Sequence, residues 1–157
     1  MNEETIASLK QRTLEAFPQV PPPNFEEITF HGCEECDGVR NDFKDVAWWM
    51  ASDKLVYANF GQLPLFTPKA YHYYLPAYIF CSFVQRDHDT VIEYLIYSWS
   101  PSSDSSKAFW AQRRAILTDE QKELVRDILR AVIEDESLVY HHKDAERGLR
   151  FYSGKEA

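Results

Sequence analysis

The feature that most constrains the fold is an apolar and aromatic stretch in the middle of the chain, from Tyr71 to Val84. It follows Thr67 and Pro68, and this pair predicts a helix start. A threonine oxygen can cap free backbone N–H groups, and proline at the first helical position gives up an N–H that has no partner there. Because almost every side chain from Tyr71 onward is apolar or aromatic, we expect this helix to be buried on most of its circumference.

Hydrophobic periodicity predicts further helices on both sides of this one. Two of them have a clear start, because Thr90–Glu93 and Thr118–Gln121 both have the sequence form of a capping box. The second box opens the most regular amphipathic stretch in the chain, whose apolar face carries Leu124, Val125, Ile128, Leu129, Val132 and Ile133. The predicted helices cover approximately residues 3–17, 33–50, 67–84, 90–99, 109–116 and 118–134.

These patterns predict an all-α or α-dominated fold. We expect residues 1–157 to form a single-domain bundle of about five to six helices around the buried central helix, with at most one or two short strands. The prolines within residues 18–24 forbid a helix and predict an extended connector.

Three segments have weaker patterns. Residues 25–30 alternate well enough for a short strand or an extended arm, and residues 55–60 suit either a short strand or one more helical turn. Residues 138–157 show no sustained period, which indicates an irregular tail or a short extended piece.

Charge and hydropathy limit the partners of the chain. A net charge of −8 opposes binding to a phosphate backbone, so nucleic acid is not an expected partner. A basic surface on another protein is more compatible with this charge. The longest apolar run, residues 71–84, is shorter than the ~18 to 20 residues that span a bilayer, so we expect no membrane insertion.

The N-terminus and the cysteines indicate a compartment. Residues Met1–Glu4 are acidic and no apolar segment follows them, so we expect no signal peptide. Three cysteines, an odd number, are typical of reduced intracellular thiols when no export signal is present. The expected location is therefore cytoplasmic.

One segment carries recognisable chemistry: His31, Cys33 and Cys36 have the spacing His-x-Cys-x-x-Cys. Because a helix is predicted to begin near Cys33, both cysteines should lie on one face of its first turn. There the free N–H groups and the positive end of the helix dipole favour a thiolate. The acids at 34, 35 and 37 oppose thiol ionisation, and helix capping and solubility explain them equally well.

Three interpretations of this segment stay open. Two thiolates and one imidazole are a suitable donor set for zinc, the one cofactor that the sequence suggests, with His31, Cys33 and Cys36 as candidate ligands. The fourth ligand would come from Cys81, His72, His88, His141 or His142. The second interpretation is thiol redox chemistry through a Cys33–Cys36 disulfide, which a reducing compartment disfavours. The third is that both thiols pack in the core without a metal.

Consecutive aromatic residues predict a protein-binding face. Trp48 and Trp49 would be about 100° apart on a helix, so both cannot point into one core, and the same holds for Tyr73 beside His72. With Asp45 as an acidic neighbour, these residues form a candidate face for a basic partner or for a second copy of the chain. The alternative is that the rings lie flat across the edge of the domain and cover apolar surface.

No established catalytic motif accompanies these features. The sequence contains no Gly-x-Ser-x-Gly elbow, phosphate-binding glycine loop or His-Glu-x-x-His helix. A non-catalytic protein-interaction domain, for example an immunity-type protein that neutralises a partner, is therefore the first functional hypothesis. A metal-binding or thiol-redox protein is the alternative.

Two motifs together suggest a family. His31, Cys33 and Cys36 are followed by the Thr-Pro-x-Ala-x-x-Tyr-Tyr-Leu-Pro-Ala pattern within Phe66–Ala77 and by the helix start at Leu117–Gln121. In these features the chain resembles domain-of-unknown-function family 6714, a family of small bacterial proteins. The resemblance implies a helical fold, and the family name carries no function.

Overall fold

The computed structural model describes residues 1–30, 32–84 and 89–155. Within these ranges the chain forms nine α-helices and no β-strand, which confirms the predicted all-α class. The helices are α1 (Glu3–Ala16), α2 (Phe25–Ile28), α3 (Glu34–Phe43), α4 (Asp53–Ala58), α5 (Pro68–Ile79), α6 (Asp89–Trp99), α7 (Asp104–Ala115), α8 (Asp119–Glu134) and α9 (His142–Ser153). Shorter turns lie at Trp48–Met50, Leu63–Leu65 and Glu136–His141, and a π-helical turn at Phe80–Val84 continues α5.

Helix α5 is the predicted central helix. Its start is as expected from the sequence: the Thr67 hydroxyl accepts a hydrogen bond from the Ala70 N–H at 3.1 Å, and Pro68 is the first helical residue. Nine of its twelve residues are buried, and helices α1, α2, α6 and α7 all pack against it. The expectation of a helix buried on most of its circumference is confirmed.

The tyrosines of α5 tie the centre of the molecule to three other segments. The Tyr74 hydroxyl donates to the carbonyl oxygen of Phe43 at 3.0 Å, and the Tyr78 hydroxyl donates to that of Asn59 at 2.7 Å. The Tyr71 hydroxyl lies 3.1 Å from Ser98 Oγ. Buried hydroxyl groups need such partners, so these tyrosines join the elements of the core.

Helix α8 begins as predicted and packs mainly on α9 and α1. The Thr118 hydroxyl accepts a bond from the Gln121 N–H, and the Gln121 side chain accepts one from the Thr118 N–H, which together form the capping box. The predicted apolar face is buried except for Ile133, which is partly buried against the core. Helix α8 meets α5 where Gln121 Oε1 lies 2.9 Å from His72 Nε2.

The expectation of an irregular tail over residues 138–157 is wrong for the part that the structure describes. Residues 142–153 form helix α9, with Ala145, Gly148, Phe151 and Tyr152 buried, and Gly154 ends it in the left-handed conformation at φ 67°. A Cβ atom at Gly148 would lie 3.1 Å from the Trp99 carbonyl oxygen and 3.2 Å from Leu129 Cδ1. The small residues at 145 and 148 allow close packing. Together with Leu149 and Tyr152 they follow the three- and four-residue spacing of a helix, which the sequence analysis missed.

Two further helices account for most of the difference between the predicted five to six and the nine found in the described ranges. Residues 25–28 form the single turn α2, in which the Glu27 carboxylate accepts a bond from the Asn24 N–H at 3.0 Å. The Asn-x-x-Glu pattern at residues 24–27 predicts this turn. It was overlooked because the alternating polar and apolar residues of 25–30 also suit a strand. Residues 53–58 form α4, capped by the Ser52 hydroxyl, so the helical alternative is correct there.

The predicted helix over residues 33–50 is two separate elements. Helix α3 ends at Phe43, and a short loop follows in which Asp45 has a positive φ of 56°. The chain then enters the short turn Trp48–Met50. The Tyr74 hydroxyl bonds to the carbonyl oxygens of Phe43 and Val46, which fixes the loop against α5.

Candidate functional site

The segment that leads into Cys33 is held against the start of α5 and against α3. Thr29 forms an isolated antiparallel bridge with Phe66, and the Thr67 N–H donates to the Ile28 carbonyl oxygen at 3.0 Å. On its other side, Arg40 Nε donates to Thr29 Oγ1 at 2.6 Å. These bonds hold Ile28 and Thr29 between α5 and α3. His31 itself lies outside the described residues.

Cys33 is the N-cap residue of α3, as the sequence predicts for a helix that begins near this position. It has an extended backbone, and its Sγ accepts a hydrogen bond from the Cys36 N–H at 3.3 Å. The Cys33 side chain is exposed, whereas Cys36 is completely buried, and neither forms a disulfide. One turn of helix therefore presents one sulfur to solvent and holds the other beneath it.

The two thiols have opposite shifts in pKa. A hydrogen bond from the Cys36 thiol, assisted by backbone N–H groups, lowers the pKa of Cys33, because both donors stabilise its thiolate. Burial raises the pKa of Cys36, and the neighbouring Cys33 sulfur raises it further. Cys33 is therefore the thiol that ionises first and Cys36 is the one that keeps its proton.

Three acidic residues follow the exposed sulfur in the chain. Glu34, Glu35 and Asp37 all lie in the first turn of α3, where they complement the helix dipole. Glu35 also raises the pKa of Cys33, which is the opposing effect expected from the sequence, but this contribution is smaller than that of the hydrogen bonds. The Glu35 carboxylate is held by the Gln62 side-chain amide at 3.0 Å.

The structure brings together only part of the predicted zinc ligand set. In the described ranges, no group of three or more His, Cys, Asp or Glu side chains could hold a metal ion. Cys81 is buried, and burial raises its pKa to about 12. The His72 and His142 rings contact Gln121 Oε1 and the Asp135 carbonyl oxygen, and His141 ends the turn before α9. His31 and His88 lie outside the described residues, so zinc stays a prediction.

Trp48 and Tyr73 of the predicted interaction face contact the proline connector, and His72 contacts Phe17 just before it. Trp48 is buried, and its Nε1 donates to the Pro18 carbonyl oxygen at 3.2 Å. The Tyr73 hydroxyl donates to the Val20 carbonyl oxygen at 2.7 Å, and the His72 ring lies 5.8 Å from that of Phe17. The first part of the connector, at Pro18 and Val20, is thus bound to the domain through two carbonyl oxygens.

Asp45 and Trp49 are exposed, and with them Met50, which the sequence analysis did not single out. Trp49 is 38% exposed and Met50 is 73% exposed, next to each other in one short turn. The ring of Trp49 stands edge-on to that of the buried Trp48, with centroids 5.8 Å apart. Met50 continues the three- and four-residue spacing of Val39, Phe43, Val46 and Ala47, which favours the apolar face of one long helix, and the end of α3 at Phe43 breaks that relation.

The helices in the described ranges include none that is both long and apolar enough to cross a membrane. No curated protein and no solved structure matches the chain. A match does exist among protein families, to the family of unknown function DUF6714, and it covers residues 7–153. The match includes all nine helices except the first residues of α1, and both cysteines of the candidate site. The chain therefore belongs to the DUF6714 family.

Proposed function

We propose that this protein is a dithiol redox protein in which Cys33 is the nucleophile and Cys36 the resolving thiol. The observation that carries the proposal is the pairing of an exposed sulfur with a lowered pKa and a buried sulfur with a raised pKa on one helical turn. Reactive cysteines have this environment: a thiolate stabilised at a helix N-terminus and reachable by a reaction partner.

The geometry supports a two-step exchange. The Cys33 thiolate attacks one sulfur of a partner disulfide, forming a mixed disulfide and releasing the other partner sulfur as a thiolate that takes up a proton. Cys36 then loses its proton and attacks Cys33 Sγ, forming the Cys33–Cys36 disulfide and releasing the second partner thiol. Counted from the two protonated thiols, the protein loses two electrons and two protons, one of these protons when Cys33 ionises and the other from Cys36, and the partner disulfide gains two electrons and two protons. A second dithiol would reverse the reaction and return the protein to its reduced form.

A redox titration tests the proposal. The protein is equilibrated in glutathione buffers of graded ratio, its free thiols are alkylated, and intact mass and peptide mapping locate any disulfide. We expect a reversible Cys33–Cys36 disulfide, which Cys33→Ser and Cys36→Ser both abolish. Cys81→Ser is the matched control, because this buried thiol lies outside the site and its loss should leave the titration unchanged. Failure to form the Cys33–Cys36 disulfide at any ratio would overturn the proposal.

The metal content of the same protein preparation distinguishes zinc binding by Cys33 and Cys36 from redox chemistry. A zinc protein would contain near-stoichiometric metal and would release thiol protons on loading. A redox dithiol is expected to contain less than stoichiometric metal and to show unchanged thermal stability on addition of zinc. Stoichiometric zinc bound through Cys33 and Cys36 would replace the redox proposal by the metal one.

A second candidate function, binding of a partner protein, is favoured by the exposure of Trp49 and Met50. Interfaces are enriched in tryptophan and methionine, and a few such anchors carry most of the binding energy. Asp45 and Asp53 lie on either side of this turn in the chain, so a partner with a basic surface or a second copy of the chain fits its charge.

Replacement of the exposed pair tests this candidate. Trp49→Ala and Met50→Ala should leave the fold intact and weaken capture of the natural partner, or weaken self-association in sedimentation velocity. Trp48→Ala is unsuitable because that ring is buried and bonded to Pro18. Val139→Ala, which removes an exposed apolar side chain elsewhere, serves as the control. Equal binding by all folded variants would exclude this surface.

A further inference from the structure

The chain as a whole is acidic, with a net charge of −8, yet one surface cavity is lined by basic residues. The cavity has a volume of about 220 Å³ and lies between the start of α7 and the second half of α9. Among the described residues that line it are four cations and no acid: Lys107, Arg147, Arg150 and Lys155. Phe151 adds an aromatic ring to the wall.

Three of these cations have no partner within the described part of the chain. No ion pair or side-chain hydrogen bond involves Lys107, Arg150 or Lys155 there, whereas the basic residues of α8 are paired with acids along the helix. Unpaired like charges around one concavity repel each other and raise the local positive potential. An anion in the cavity would relieve this repulsion.

The fourth cation and the aromatic ring are fixed in place. Arg147 Nε donates to the Ser100 carbonyl oxygen at 2.7 Å, and its Nη2 pairs with Asp144. The guanidinium of Arg114 lies 4.0 Å from the centroid of the Phe151 ring and donates to the Phe151 carbonyl oxygen. Part of the cavity wall is therefore preorganised, which reduces the entropy lost when a ligand binds.

We propose that this cavity binds a phosphoryl group, either of inorganic phosphate or of a small phosphorylated molecule. Arginine matches phosphate oxygens with a planar fork of donors and lysine adds a mobile point charge, so Arg150, Lys107 and Lys155 provide both kinds of contact. The volume is below the roughly 300 to 1,000 Å³ of pockets for drug-sized ligands, which suits one small anionic group. The overall negative charge repels a long polyanion such as nucleic acid.

Isothermal titration calorimetry of the full chain tests the proposal with three probes: inorganic phosphate, glycerol 3-phosphate and sulfate. Tighter binding of glycerol 3-phosphate than of inorganic phosphate identifies a phosphorylated molecule as the ligand, and the reverse identifies free phosphate. Either outcome supports the site. Equal affinity for sulfate and both phosphates would mean unspecific attraction of anions and would overturn the proposal, as would absence of heat with all three.

Charge reversal locates the binding. Arg150→Glu and Lys107→Glu should each weaken phosphate binding about tenfold or more, because each removes a charge-assisted contact and adds a repulsive one. Lys143→Glu is the matched control, since this exposed lysine lies on the same helix α9 and does not line the cavity. Arg150→Lys should retain part of the affinity. An equal loss in Lys143→Glu, with all variants folded by circular dichroism, would contradict the assignment.

The thiol site and the anion site are independent in this account. Cys33→Ser should therefore leave the phosphate affinity unchanged, and Arg150→Glu should leave the thiol titration unchanged. A change in phosphate affinity on replacing Cys33 would show that the heat comes from the region of α3 and would overturn the placement between α7 and α9.

Discussion

Helices α3 and α8 begin with the same hydrogen bond made by different chemistry. At α8 the Thr118 hydroxyl accepts a bond from the N–H of the residue three positions on, at 3.2 Å, and at α3 the Cys33 sulfur does so at 3.3 Å. In both helices that third residue, Gln121 or Cys36, is buried. The two turns therefore form a matched pair within one molecule.

The difference lies in what the buried third residue contacts. The Gln121 amide donates to the Ala16 carbonyl oxygen at 2.8 Å, and its oxygen accepts from the Thr118 N–H and lies against the His72 ring. It thereby links three helices. The Cys36 thiol interacts with Cys33 and Thr29, and its hydrogen bond lowers the pKa of Cys33. The buried residue of the α8 cap thus links three helices, whereas that of the α3 cap favours the ionisation of an exposed thiol.

Among substitutions in these two helix starts, replacement of Gln121 should lower the free energy of unfolding most. Gln121→Leu leaves the Ala16 carbonyl, the Thr118 N–H and the His72 ring without their partner, and each unsatisfied buried group costs about 1 to 3 kcal/mol. Allowing for water at the half-buried groups, we expect a fall of about 2 to 4 kcal/mol in the free energy of unfolding. Urea denaturation measures it, with Gln112→Leu at an exposed position of α7 as the control.

A smaller effect is expected at the cap of α8 itself. Thr118→Ala removes the acceptor for the Gln121 N–H, and loss of such a cap typically costs about 1 kcal/mol. Thr118→Ser keeps the hydroxyl and should recover most of that loss in the same urea experiment. If alanine and serine behave alike, the hydroxyl does not stabilise the helix.

The smallest effect on stability is expected at the cap of α3. Cys33→Ser replaces an exposed sulfur by a hydroxyl, which is itself a good cap, so the free energy of unfolding should change by no more than about 0.5 kcal/mol. The same variant should lose the fast-reacting thiol. A loss of stability as large as that of Thr118→Ala would show that the Cys33 sulfur is a structural cap. The caps of α3 and α8 would then not differ in their role.

The parts of this fold that the sequence predicts are those with local signals. Thr67–Pro68 and Thr118–Gln121 carry their own caps, and the starts of α5 and α8 were predicted correctly from them. Helix α9 has no side-chain cap at its start, and its apolar period of Ala145, Gly148, Leu149 and Tyr152 was missed because two of these residues are small. The loop after Phe43 is held by the distant Tyr74 hydroxyl, a contact that no local pattern encodes.

The same division applies to the candidate sites. The sequence placed Cys33 and Cys36 at a helix start, but the burial of one and the exposure of the other depend on how α3 packs. The exposure of Trp49 and the burial of Trp48 likewise follow from the break after α3. The basic cavity joins Lys107 to residues more than a helix away, at 147–155, and only the tertiary structure brings them together.

Activation of Cys33 by Cys36 can be measured through the pH dependence of alkylation. The rate of reaction of Cys33 with iodoacetamide is followed from about pH 5 to about pH 10 in a Cys81→Ser background, because only the thiolate reacts. The pH at which this rate is half-maximal should lie below the ordinary thiol pKa of about 8.5. It should be higher in Cys36→Ala, because that variant loses the thiol donor. If the rate is half-maximal at or above about pH 8.5, and Cys36→Ala does not change that pH, then Cys36 does not activate Cys33.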